Sequence, residues 1–193
     1  MDSTRQQGKR LISYLSKMKG NGRSISEEAI FSGRVKDSLW AWIGSSLGIG
    51  LCAYLSSRFF EPRETTLLLG SFGASAVLVY GAIKSPLAQP RNLLGGHLIS
   101  GAIGVACFSL LGTGWVAAAL AVSFAIIAMI ITNTVHPPGG ATALIAIIGG
   151  DQVHQLGFWY ILAPAGLGAL ILLLIALLVN NLARDRRYPE HWF

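Results

Sequence analysis

Between Asn92 and Gly150 the chain carries no Asp, Glu, Lys or Arg, and none occurs again between Gln152 and Ala183. A soluble fold cannot hide runs of that length. Average soluble domains carry about 25% charged residues, whereas here the fraction is 12%, beside 52% hydrophobic residues and a mean hydropathy of +0.55. Placing a charge in hydrocarbon costs at least about 2.5–3.5 kcal/mol, so a lipid-solvated chain avoids it. The pattern predicts an integral membrane protein.

At 193 residues the chain has room for one membrane domain and no separate soluble enzyme. Its first apolar stretch starts near Leu39 and runs too long for a cleavable signal. The net charge of +6 could suggest nucleic acid, but the basic residues gather toward the chain ends, where membrane proteins keep cytoplasmic anchors. No nucleic-acid partner is expected. Cys52 and Cys107 each sit inside an apolar segment and read as small buried hydrophobes, so neither a metal nor a cofactor is expected.

Residues 1–37 form a basic lead-in. Leu11, Leu15 and Met18 recur at helical spacing among Arg5, Lys9, Arg10, Lys17 and Lys19. That pattern fits either a helix lying on an anionic leaflet or an unstructured cytoplasmic tail. The membrane domain is expected over 38–182, with a cytoplasmic tail at 183–193. Crossing about 30 Å of hydrocarbon takes about 20 apolar residues. Candidate segments lie at 38–57, 65–83, 93–112, 115–133, 139–150 and 158–182; the fifth spans only half a bilayer, and Pro164 should kink the last.

Six crossings with both ends inside would place thirteen of the fifteen Lys and Arg on the cytoplasmic side. Only Arg58 and Arg63 would face outward, beside Glu61 and Glu64. The excess of basic residues inside favours this arrangement, in a bacterial inner membrane or a plastid-type one. An odd count would carry Arg184, Arg186 and Arg187 outside.

Gly73-Ala74-Ser75-Ala76-Val77-Leu78 reads like Gly140-Ala141-Thr142-Ala143-Leu144-Ile145. Each lies in the middle segment of a three-segment half, 38–112 and 115–182. The fold class expected is therefore an all-α membrane protein of about six spans, built as two inverted repeats with broken or half-helices in their middle segments. Interrupted segments at matching positions point to a transporter site. Gly44/Gly48 and Gly96/Ser100/Gly104 give flat faces for helix contact, within the chain or between copies of a homo-oligomer.

His136-Pro137-Pro138-Gly139-Gly140 is the sharpest local signal. The prolines stop any helix arriving from upstream and remove two amide donors; the glycines permit close backbone approach. A helix starting there at bilayer depth survives only if buried or lining a cavity. Its positive end, with free first-turn amides, would attract an anion.

HPPGGATAL at 136–144, GASAVLVYGAIKSPLAQPRN at 73–92 and Gly95-Gly96-His97 resemble the signature blocks of the HPP family of integral membrane proteins. The resemblance covers about 38–182. It implies a compact multi-span fold and transport, since plastid and cyanobacterial relatives are linked to nitrite movement.

The residues independently suit a small anion. Two half-helices starting near Gly73 and Gly140 would aim their positive ends at one centre. Each terminus contributes up to about 2 kcal/mol, against tens for stripping an anion of water in the Born limit. Dipoles alone therefore cannot hold a dry anion. Hydroxyls such as Ser71, Ser75, Thr134 and Thr142 would complete the shell, with His136 and His97 as neutral donors or protonated partners. Lys84 and Arg91 would form an electropositive entry from the cytoplasm. The site expected is thus His136, Pro137, Pro138, Gly139, Gly140, Thr142, Gly73, Ser75 and His97.

The function expected is a channel or secondary transporter for a small anion, and not an enzyme. Two alternatives are an intramembrane hydrolase using Ser75 with a histidine base, and an assembly or regulatory subunit with no substrate of its own.

Overall fold

The computed structural model describes residues 34–192; the lead-in helix or tail expected within 1–37 falls almost wholly outside them. All regular structure among the described residues is helical. Helix α1 (Arg34–Phe59) is followed by Glu61 in extended conformation, and Pro62 then opens α2 (Pro62–Ala76). Proline suits a first helical turn, whose amides lack partners anyway. Helix α2 continues into a π turn, Val77–Gly81, and a short 3-10 turn at Pro86–Ala88 leads to α3 (Pro90–Leu111).

Gly112 and Gly114 both take positive φ, 67° and 131°, making the tight turn into α4 (Trp115–Ile131). His136 is extended, and α5 (Pro137–Ile148) starts directly after it. A short helix α6 (Asp151–Leu156) occupies what the sequence suggested was a loop. The last segment is a π turn at Ile161–Gly166 running into α7 (Leu167–Leu182). Its expected kink is present: Ala163, before Pro164, leaves helical conformation at φ −144° and ψ 123°.

Three helices are long and apolar enough to cross a membrane, Lys36–Phe59, Pro90–Leu111 and Ile161–Leu182, with α4 and α5 apolar but shorter. At 1.5 Å per residue α5 rises only ~18 Å, about half a bilayer. The outer surface is apolar: Phe59, Leu110, Trp115, Ile131 and Trp159 are all exposed, a surface suited to lipid.

Helix α3 is the centre of the bundle, packing against α4, α5, α7 and the second π turn. Its small residues permit this. A side chain on Gly104 would lie 2.7 Å from the Ala143 carbonyl of α5, and one on Gly96 would overlap the His136 side chain. Helix α4 presents Ala117, Ala121 and Ala125 to the same packing. On α1, Gly44 and Gly48 receive the Tyr80 ring, so that flat face is used within the chain.

The start of α1 and the tail after α7 meet on one face. Lys36 pairs with Asp185 at 2.7 Å. Arg186 donates to the carbonyls of Asp37 (2.9 Å) and Tyr80 (2.5 Å), and Asn180 donates to the Val79 carbonyl (2.9 Å). The π turn that ends α2 leaves the Val79 and Tyr80 carbonyls free to accept, and a cation suits a helix C-terminus. Burial lowers the Arg186 pKa from its ordinary value, opposed by the nearby Asp37 charge.

Candidate functional site

The two prolines that open α5 leave His136 in extended conformation, and its ring turns into the bundle and is fully buried. Its Nδ1 lies 2.8 Å from the Leu87 carbonyl in the 82–89 loop. A carbonyl only accepts, so Nδ1 carries the proton. The other ring nitrogen, Nε2, lies 2.9 Å from Ser75 Oγ on α2.

Ser75 also lies 2.8 Å from His97 Nε2, and His97 Nδ1 lies 2.7 Å from Thr142 Oγ1 on α5. Thr142 is 2.9 Å from Ser71 Oγ, one turn before Ser75 on α2, and Ser71 is 3.0 Å from the Pro138 carbonyl. These side chains are at most 2% exposed. The histidine rings lie 5.2 Å apart, and Phe72 covers His97 on another side at 5.7 Å. Tyr160 supports the floor, its hydroxyl donating to the Thr142 carbonyl at 2.9 Å. No Asp, Glu, Lys or Arg bonds to any of these groups among the described residues.

Of the residues expected at the site, His136, Ser75, His97, Thr142 and the Pro138 carbonyl meet in one cluster, joined by Ser71. Pro137 and Gly139 shape it. A side chain on Gly139 would lie 2.7 Å from Ser100 Oγ and 2.8 Å from the Gly96 carbonyl, so glycine lets α5 lie against α3.

Several expectations are corrected. No half-helix starts near Gly73, because α2 begins at Pro62 and its two glycines, Gly70 and Gly73, cost about 1 kcal/mol each without blocking a backbone hydrogen bond as a proline would. Nothing lies within 4 Å of where a Gly73 side chain would begin, so this residue faces away from the cluster. Gly140 faces Val122 of α4. Thr134 packs against Gly95 and bonds Thr132 at 2.8 Å. The first turn of α5 is also poorer in amides than expected: its prolines have none, and Gly139 N donates to the His136 carbonyl at 2.8 Å. Side chains therefore supply most of the polarity.

Lys84 is exposed, while Arg91 donates to the Thr132 carbonyl at 2.8 Å, closing the end of α4. The sequence carries no sign of the Leu87 carbonyl or of Tyr160 as part of the site. It also carries none of Glu64, buried on the face of α2 that carries Ser71 and Ser75, whose Oε2 has no partner among the described residues. An apolar cavity of about 320 Å³ lies behind Phe72, bounded by Cys52, Phe59, Pro164, Leu167 and Gly168.

The family described as HPP, transmembrane region, matches residues 31–189. Two transmembrane proteins of Dictyostelium discoideum are similar: one is 46% identical over 94% of this chain, the other 43% over 95%. The chain spans 58% and 64% of the length of these relatives. No solved structure matches. The match takes in the HPPGG break that positions His136, and this chain belongs to the HPP transmembrane-region family.

Proposed function

We propose that the chain is a channel or secondary transporter for a small anion, with nitrite the first candidate by family resemblance. The observation that carries this reading is the buried cluster of His136, Ser75, His97, Thr142 and Ser71, to which no Asp, Glu, Lys or Arg bonds among the described residues. Polar groups at bilayer depth are costly, and they mark ion or substrate pathways in membrane proteins. No carboxylate bonds to these groups to repel an anion. Ser71 and Ser75 come from the first half of the chain and His136 and Thr142 from the second, which supports reading the halves as inverted repeats. Both ends of a six-crossing chain would then be cytoplasmic, with Lys84 beside the inner mouth.

The test is uptake of nitrite, nitrate and formate by proteoliposomes containing only this protein, at two pH values, with protein-free vesicles subtracted. His136→Ala should lower uptake while the protein still inserts and folds. Unchanged uptake in that variant at both pH values would reduce the HPPGG break to a structural loop.

One observation favours a second reading. Ser75 Oγ lies within 2.9 Å of two imidazole nitrogens, as a hydrolase nucleophile would, with an apolar cavity behind Phe72 to admit a lipid-soluble substrate. Labelling of Ser75 by a fluorophosphonate probe in bilayers, abolished by Ser75→Ala, would establish that reading in place of transport.

A further inference from the structure

The buried cluster holds fewer hydrogens than it has short contacts. The groups form one line: Leu87 carbonyl, His136, Ser75, His97, Thr142, Ser71, Pro138 carbonyl. Six contacts of 3.0 Å or less link them, of 2.8, 2.9, 2.8, 2.7, 2.9 and 3.0 Å in that order. Two longer ones, both 3.3 Å, run beside the line from Thr142 Oγ1 to the Pro138 carbonyl and from Ser75 Oγ to the Ser71 carbonyl. Each of the six short contacts needs one hydrogen, and both ends are carbonyls, which bring none. The five side chains between them, when neutral, bring one each. Five hydrogens cannot make six bonds.

In the neutral state the order is forced from the Leu87 end. His136 donates from Nδ1 to Leu87, so its Nε2 accepts from Ser75. Ser75 then accepts from His97 Nε2, and His97 Nδ1 accepts from Thr142. The one hydrogen left, on Ser71, serves either Thr142 or the Pro138 carbonyl but not both, and when it points to Thr142 the carbonyl has no full hydroxyl donor. One added proton completes the line. Arriving at Ser71, it releases that hydroxyl's own hydrogen to Thr142, Thr142 passes its hydrogen to His97 Nδ1, and His97 passes the Nε2 hydrogen to Ser75. Ser75 in turn protonates His136 Nε2. His136 is now an imidazolium, every bond between it and Ser71 is reversed, and Ser71 donates to Pro138.

We propose that this line binds one excess proton, shared between His97 and His136, and that the proton travels with the anion. The second part rests on the transport reading above. Burial penalises a lone imidazolium here as much as a lone anion, so the two together enter at lower cost than either alone. The surroundings contain little else that titrates. Helix α2 faces the line with Phe72 and hydroxyls, α3 with Ser100, α4 with Met129, and the second π turn with the Tyr160 phenol, already donating to the Thr142 carbonyl. The charged side chains on these elements and the loop are Arg63 and Glu64 at the start of α2, Lys84 on the loop surface and Arg91, bonded to Thr132. The excess proton would therefore be the main positive charge available to an anion at this depth.

The experiment uses the full chain in proteoliposomes with a pH-sensitive dye inside and the membrane potential clamped by potassium and valinomycin. An inward gradient of nitrate or nitrite should acidify the lumen with one proton for each anion, at a rate independent of the clamped potential. Ser75→Ala, which cuts the line between the histidines, should lose this acidification, and Ser75→Thr should restore it. Anion flux that is driven by potential and carries no proton would overturn the coupling and leave the transport reading intact. Absence of flux for every anion would overturn the transport reading and, with it, the co-transport. The proton site is then judged separately by 15N-histidine NMR in lipid nanodiscs, with signals assigned by His97→Gln and His136→Gln. Uptake of one proton that moves both rings' Nε2 signals together, and only separately in Ser75→Ala, supports it. Rings that stay neutral through the acid range, or titrate independently in the unmodified protein, overturn it.

Discussion

His136 is held on two sides, by the Leu87 carbonyl at Nδ1 and by Ser75 at Nε2, and its Cβ lies against the bare backbone of Gly96. That contact explains why Gly96 matters more than any glycine in the GASAVL stretch. In Gly96→Ala the new methyl would overlap His136, and overpacking of this kind costs about 1–3 kcal/mol. Thermal unfolding in detergent should show the loss, with anion uptake reduced in the same variant. Gly73→Ala should behave in the opposite way. Open space faces it within an unbroken helix, so the substitution should be neutral or stabilise by about 0.4–1 kcal/mol, with uptake unchanged. The histidine break was legible in the sequence because prolines dictate the backbone around them. Gly73 was misread because its likeness to Gly140 lay in composition, and no proline accompanied it.

The elements differ in how far they could be foreseen. Apolar runs separated by Gly and Pro located α1 to α5 and α7 to within a few residues when the π turns are counted with α2 and α7, and the Pro164 kink followed from the proline. The π turn at Val77–Gly81 has no such marker, since it arises from packing: Tyr80 seats on Gly44 and Gly48 and donates to the Leu172 carbonyl at 3.0 Å. Deleting Leu78 should restore α geometry and rotate the residues beyond it by about 100°. Tyr80 would leave its seat, and the Val79 and Tyr80 carbonyls would turn from Asn180 and Arg186. The expected outcome is a lower unfolding temperature and a tail that a protease can reach. Arg186→Ala tests the same joint from the other side. It leaves the buried Tyr80 carbonyl without its donor, which costs about 1–3 kcal/mol. Asp185→Asn, at an exposed ion pair, should change stability little.

Over the whole molecule, the charge pattern and the contacts bear on topology independently. Basic residues gather toward the two chain ends and the 84–91 loop, which argues for an even number of crossings. The contacts bring the start of α1 and the tail together through Lys36–Asp185 and Arg186–Asp37. At the other end of the bundle, the Glu61 amide donates to Gln152 Oε1 at 2.7 Å, tying the α1–α2 turn to α6. A chain crossing six times with basic ends inside therefore places Glu61 and Gln152 outside, and Lys36, Lys84 and Asp185 inside. Glu61→Cys and Arg187→Cys are suited to the test. Both side chains are exposed, whereas Arg186 is buried and would react slowly for reasons unrelated to topology. The native cysteines at 52 and 107 are buried and should add little background. In sealed right-side-out vesicles a membrane-impermeant maleimide should label position 61 at once and position 187 only after the membrane is opened. Equal labelling of both from outside would overturn the charge-based orientation. Labelling of 187 alone would invert it and place the loop that holds His136 at the outer mouth.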